Sequence, residues 1–194
     1  MQKYLLLALM STILLAGCNQ QQTATPATVQ PEYRMTATIK DIMDSIVDPN
    51  ADYIWESVET IVSAKGVEER MPRTDEEWKQ VRRHAIGLLE ATNLLQMPGR
   101  RVAKPGEKAD DPKVELGPEQ IEELINKDRA SWYKHAQALH DATMEVMKFI
   151  EMKDAPGLLN TSDKIDTACE NCHLQYWYPN ERKPEAAPSQ KSGN

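Results

Sequence analysis

Ser162-Asp163-Lys164-Ile165-Asp166-Thr167-Ala168-Cys169-Glu170-Asn171-Cys172-His173-Leu174-Gln175-Tyr176-Trp177-Tyr178 is the stretch on which the fold turns. Ile165, Ala168, Cys169, Cys172 and Tyr176 recur three and four apart, the spacing of one helical face. The spacing predicts a fourth helix from about Ser162 to near Tyr178, after a break at Pro156-Gly157. Working backwards, Ile121, Leu124, Ile125, Trp132, Ala136, Leu139, Thr143, Val146, Met147 and Ile150 form the stripe of one long third helix. Pro118 opens it and it ends near Met152. A charged stretch from Arg100 to Gly117 reads as a surface loop. Before it, Trp78, Val81, Ala85, Leu88, Leu89, Thr92 and Leu95 mark a second helix, with Thr74 and Glu77 in capping-box spacing. The first helix starts near Tyr33 with Met35, Ile39, Ile42, Met43 and Ile46 on one face. Asp48-Pro49 interrupts it, the pattern resumes from Ala51 through Ile54, Trp55, Val58, Ile61 and Val62, as either one long kinked helix or two pieces joined at the proline, and Gly66 stops it. No stretch alternates at period two. The reading is an all-α antiparallel four-helix bundle.

Cys169-Glu170-Asn171-Cys172-His173 is a Cys-x-x-Cys-His motif, the attachment signature of c-type haem. Two cysteines three apart on a helix face one side, and each can form a thioether with a porphyrin vinyl group. His173 is then placed to bring an imidazole nitrogen to the iron. One covalent haem c is the expected cofactor. A redox disulfide and a structural zinc site compete with this reading. The first usually sits at a helix N-terminus beside a strand, where the thiol pKa is lowered. The second wants another ligand pair, and the only other cysteine is Cys18.

The ends of the chain carry different information. Lys3 followed by an apolar run from Tyr4 to Ala16 has the layout of an export signal. Leu15-Ala16-Gly17-Cys18 resembles the lipobox of bacterial lipoproteins, which implies a signal peptide over 1–17 and acylation of Cys18. Asn19 is not the aspartate linked to inner-membrane retention, so the resemblance points to a periplasmic protein anchored in the outer membrane. Residues 18–31, rich in Gln, Thr, Ala and Pro, read as a flexible tether. The haem domain is expected over 32–178, and 179–194 reads as a disordered tail. Net charge is −7, and Arg82-Arg83 and Arg100-Arg101 are isolated pairs, so nucleic acid is not an expected partner. No serine elbow, phosphate loop or recognisable carboxylate pair points to an enzyme.

A four-helix chain with Cys-x-x-Cys-His in its last helix resembles cytochrome c′ and its class II relatives, over about residues 33–178. The resemblance implies a haem inside the bundle, His173 as proximal ligand and a distal face built largely from the first helix. It also implies a basic residue four positions after the histidine, where this chain has Trp177, a bulkier uncharged group that could shield the haem edge. Some class II relatives use a methionine of the first helix as second axial ligand. Met43 is the candidate here and Met35 the lesser one, against a site that is open or otherwise filled and against simple core packing. His135 could ligate iron or bond a propionate, as Arg34 could, while His84 and His140 read as surface residues. Trp55, Trp78 and Trp132 read as core or haem-packing residues. The expected function is a membrane-tethered carrier of single electrons that meets redox proteins in the periplasm. The alternatives are a five-coordinate haem protein binding nitric oxide or carbon monoxide, and a non-haem lipoprotein. Relatives often dimerise through their first two helices, so a homodimer belongs to the same expectation.

Overall fold

The computed structural model describes residues 33–181. The expected signal 1–17, Cys18, the tether 18–31 and residues 182–194 of the expected tail lie outside the described residues. The chain divides into two units, Met1–Arg34 and Met35–Asn194, and every helix and strand among the described residues belongs to the second.

The first bundle helix is continuous but not uniform. It consists of α1 (Ile39–Ile42), a π turn (Met43–Val47) and α2 (Asp48–Ser57). Of the two readings the sequence leaves open at Asp48-Pro49, one long kinked helix or two joined pieces, the structure has the continuous helix. Proline inside a helix removes a donor and drives its ring into the carbonyl four residues back. The wider π turn immediately before Pro49 relieves that clash, and the Asp48 N–H reaches back to the Met43 carbonyl. The buried positions record the same event. Ile39, Ile42, Val47, Ala51, Ile54 and Val58 are all at most 4% exposed, and the step from Ile42 to Val47 is five residues rather than three or four. Val47, not the expected Ile46, is therefore the buried residue of that turn.

Helix α1 starts with a capping box: the Asp41 N–H donates to Thr38 Oγ1 and the Thr38 N–H to Asp41 Oδ2, each at 3.0 Å. Lys104 Nζ donates to the other Asp41 oxygen at 2.6 Å. The Lys104 bond first, then the Thr38 amide and hydroxyl, hold the Asp41 carboxyl at about 2 against an ordinary 3.8. The folded state therefore binds fewer protons than the unfolded chain between those values. Its contribution is complete above pH 3.8 and is lost as pH falls toward 2. Asp41→Asn is expected to flatten the fall of the thermal midpoint across that window, measured by circular dichroism melts at stepped pH.

After α2 the structure departs from the all-helical reading. Glu59–Ser63 (β1) and Gly66–Arg70 (β2) form an antiparallel hairpin, with Val62 opposite Val67. Ile61 and Val62, expected in a helix, are strand residues. Thr60, Ile61 and Val62 are three β-branched residues in a row and favour extended backbone. Gly66, at φ +125°, supplies the turn. Only Glu59 and Ile61 on one face of β1 are half-buried and β2 is exposed throughout, so the hairpin carries no apolar alternation for a period-two search to find.

Helix α3 (Asp75–Leu95) has the expected capping box: the Glu77 N–H donates to Thr74 Oγ1 and the Thr74 N–H to Glu77 Oε2. The expected surface loop from Arg100 to Gly117 is tied to the bundle at both ends. The Arg101 and Val102 carbonyls accept the Ile39 and Lys40 amides at 2.9 Å, satisfying orphan donors at the start of α1. Arg100 is buried, and its guanidinium donates to the Leu94 and Ala37 carbonyls. At the loop's other end the Leu116 N–H donates to the Trp177 carbonyl at 2.8 Å.

The expected third helix is two: α4 (Pro118–Lys127) and α5 (Arg129–Met152). Between them Asp128 leaves helical geometry and caps α5 by accepting from the Ser131 N–H. The fourth helix, α6 (Ala155–Tyr176), begins seven residues earlier than expected. Pro156 falls in its first turn, where a missing N–H costs nothing, so the proline starts this helix instead of ending the previous one. Lys153 closes α5 in the left-handed region at φ 54°. Gly157 is required at this corner, because a Cβ there would overlap the Phe149 ring and Asp154. Pro179–Glu181, the first residues of the expected tail, make one 3₁₀ turn.

The first bundle helix packs on α3 and α6, and α5 packs on the same two helices, which closes an antiparallel four-helix bundle. Ile42, Ile54, Leu88, Val146, Leu158 and Ile165 are fully buried along its axis. Thr92 and Thr143, also buried, donate to the Leu89 and Leu139 carbonyls. Among the described residues no helix is long and apolar enough to cross a membrane.

Candidate functional site

Two adjoining cavities, of about 380 and 260 Å³, open between the first bundle helix, α5 and the C-terminal half of α6. Met43, Asp48, Trp132, Cys172, His173 and Tyr178 line both. Together they have the size and apolar character of a cofactor site.

Helix α6 places the Cys169 and Cys172 sulfurs on one side, at the larger cavity. Neither is in a disulfide. Burial pushes both thiols up to about 12, with Asp166 and Asp48 adding to the effect at Cys169, and Cys169 itself at Cys172. A redox-active pair needs the opposite, a thiol pKa lowered toward neutrality. A zinc-only site has no support either: among the described residues no three His, Cys, Asp or Glu side chains lie close enough together to hold a metal ion by themselves.

His173 follows Cys172 on the same wall. Burial lowers its pKa, against the opposing pull of the Asp48 and Glu170 carboxylates, a shift toward the neutral imidazole that binds a metal. Its ring lies 5.7 Å from Tyr178 and 6.4 Å from Trp177. The Tyr178 hydroxyl donates to Glu170 Oε2 at 2.7 Å, tying the end of α6 back to the residue after Cys169. Trp177, expected to shield a haem edge, lines only the smaller cavity.

On the opposite wall the first bundle helix contributes Met43, Val47, Asp48, Ala51, Asp52 and Trp55. Four-residue steps drift by about 40° each on a uniform α-helix. The π turn takes up part of that drift, which keeps Met43 on the same wall as Val47, Ala51 and Trp55. Met35 lies on neither cavity and is 40% exposed, with its methyl beside Gly99. His135 lines the larger cavity, with Nε2 in a 2.9 Å hydrogen bond to Gln175 Oε1. Trp132 is buried in the wall and donates from Nε1 to the Leu95 carbonyl. Trp55 Nε1 donates to the Ser162 carbonyl. Trp78 belongs to the core away from both cavities. His84, expected at the surface, is half-buried against Tyr53. His140 sits beside Asp141, and Arg34 falls in the other unit.

The acidic groups of the site escape a reading of the sequence. Asp48, Asp52, Asp166 and Glu170 surround the larger cavity, and burial raises the Asp48 pKa while His173 opposes the rise. In the sequence Asp48 reads only as a helix-break residue, and nothing in its local surroundings marks it otherwise. Tyr178 carries a weak signal as part of the aromatic run Tyr176-Trp177-Tyr178.

The residues present fit a c-type haem. Two half-buried, unpaired thiols and the His173 imidazole share one cavity, with tryptophan and aliphatic walls on its other sides and a thioether on the facing helix. Cys169 and Cys172 would attach the porphyrin, His173 would bind the iron, and Met43 is placed on the facing wall.

No family model matches the chain, and no curated protein matches it. Among solved structures it is similar to variants of cytochrome c prime from Alcaligenes xylosoxidans. A nitric oxide complex of one variant is 17% identical, covering 74% of this chain and 98% of that one, with a TM-score of 0.45. A ferrous form of another variant is 18% identical, over 73% of this chain and 98% of that one, with the same TM-score.

Proposed function

We propose that the chain is a c-type cytochrome that carries single electrons. One haem would be held covalently by Cys169 and Cys172, and His173 and Met43 are the side chains that would bind its iron. The observation that carries the reading is the shared cavity: both unpaired sulfurs, the imidazole of His173 and the Met43 side chain line one space. When bound, haem supplies an iron that cycles between ferrous and ferric states, and the protein sets its ligands, its dielectric and its access.

The residues act in distinct ways. Tryptophans 55 and 132 and the aliphatic side chains of the walls exclude water. Tyr178, clamped by Glu170, covers the His173 ring. Acidic side chains ring the larger cavity, a surface suited to a basic redox partner. Export, acylation at Cys18, an outer-membrane anchor facing the periplasm and a homodimer complete the proposal. They rest on the sequence alone.

Reduced-minus-oxidised spectra of the purified protein in alkaline pyridine test the haem assignment. A c-type band is expected, and its absence sinks the proposal. The untreated ferric protein is expected to be low-spin with a methionine-to-iron charge-transfer band. A high-spin ferric spectrum that responds to nitric oxide or carbon monoxide would instead favour a gas-binding haem protein.

A further inference from the structure

Helix α3 carries a glycine in its interior, Gly87, where alanine would stabilise the helix. Its surroundings explain the exception. A Cβ at Gly87 would lie 2.8 Å from Nδ2, 2.9 Å from Oδ1 and 3.0 Å from Cγ of Asn50, so the bare backbone admits that side chain. Asn50 spends both ends of its amide there. Nδ2 donates to the Ile46 carbonyl at 2.6 Å, and Oδ1 lies 2.8 Å from His84 Nδ1. With Nδ2 committed as donor, Oδ1 is the acceptor and His84 Nδ1 carries the proton. The imidazole is fixed in turn by Tyr53, stacked at 3.9 Å and 14°. Burial lowers the His84 pKa, consistent with a neutral ring in that slot.

The carbonyl that Asn50 grips belongs to the π turn. Ile46 lies within Met43–Val47, the wide turn that Pro49 imposes, and Met43 is its first residue. A π turn inside a helix is rare and sits most often at functional sites. Asn50, four residues further along the same bundle helix, holds that carbonyl, and His84 on the neighbouring helix α3 fixes Asn50 in turn.

We propose that Asn50 and His84, admitted by Gly87, form a positioning lock that holds the π turn and so keeps Met43 in the haem cavity as an axial ligand. The proposal rests on the assignment of Met43 above. Neither Asn50 nor His84 lines either cavity, so both act through Met43. The lock also accounts for a sequence that places glycine, asparagine and histidine at helix positions where none is a preferred helix former.

The test uses the haem-loaded protein and two variants that break the lock from opposite sides. Gly87→Ala drives a methyl into Asn50, and Asn50→Leu keeps bulk but removes both bonds. Each is expected to weaken the methionine-to-iron band. Each should also raise carbon monoxide affinity of the ferrous protein about tenfold, the scale of one or two lost hydrogen bonds. Far-UV circular dichroism is expected to stay unchanged. His84→Gln, whose amide can still donate to Asn50 Oδ1, is expected to keep most of the band. A purely structural role does not move the band. If Gly87→Ala is only more stable, with the band and the affinity unchanged, the lock is wrong. Met43→Ala separates the two levels. If it abolishes the band while Gly87→Ala and Asn50→Leu leave it intact, the lock alone fails; if the unaltered protein has no such band, the ligand assignment fails and the lock with it.

Discussion

The variant Cys169→Ala/Cys172→Ala is expected to retain no haem through extraction with acidified organic solvent, whereas the unaltered protein keeps all of it. The magnitude is all-or-none because the two sulfurs are the only covalent route the site offers. They lie on one face of α6, half-buried and unpaired, at the same cavity as His173. With both removed, what remains is axial ligation and apolar contact, and acid breaks the first while solvent dissolves the second. Either single variant keeps one thioether and is expected to resist extraction. The measurement is the partition of colour between protein pellet and solvent, with pyridine spectra of each fraction. Loss of colour from the unaltered protein would refute covalent attachment. A positive thiol titration at both positions in the coloured protein would refute it independently.

Those two cysteines are legible from sequence because their spacing and the histidine after them encode the geometry directly. The helices α3 and α5 are legible for a related reason: each buries one face, so apolar residues mark it at regular steps. What escapes is where a regular pattern is broken for a local cause. The five-residue step from Ile42 to Val47 is hidden because Ile46 continues a regular stripe, and only the π turn moves the burial to Val47. Pro156 looks like a terminator because proline ends helices as readily as it opens them, and only the cap from Asp154 to the Gly157 N–H decides between the two. The hairpin Glu59–Arg70 fully buries neither face and so lacks the alternation that betrays a strand. The loop from Arg100 to Gly117 looks free because its main anchors are backbone carbonyls, which sequence composition does not display. In the site, the motif and the Met43 stripe can be read. Asp48, Asp52, Asp166 and Glu170 cannot, because their convergence depends on the packing of the first bundle helix against α6.

Met43→Ala is expected to turn a low-spin ferric protein into a high-spin one that binds carbon monoxide when reduced. A thioether stabilises ferrous over ferric iron, so its loss lowers the reduction potential. A shift of at least about 59 mV, a tenfold change for one electron, is expected. Packing alone could also change when a side chain is shortened, and a second variant separates the effects. Met43→Leu preserves most of the volume and removes the sulfur, so its stability cost is expected to stay below about 1.5 kcal/mol. Met43→Ala, at a half-buried site, is expected to cost more, about 1–2 kcal/mol, below the range for a fully buried methionine. If the sulfur is the ligand, the two variants share one spectrum and one potential while differing in thermal midpoint. If Met43 only fills space, the leucine variant keeps the spectrum of the unaltered protein. Met35→Ala serves as the neighbouring control: 40% exposed and on neither cavity, it is expected to change neither spectrum nor potential. The outcome that defeats the assignment outright is a ferric spectrum already high-spin before any substitution, since the iron would then lack the ligand that Met43 is placed to provide.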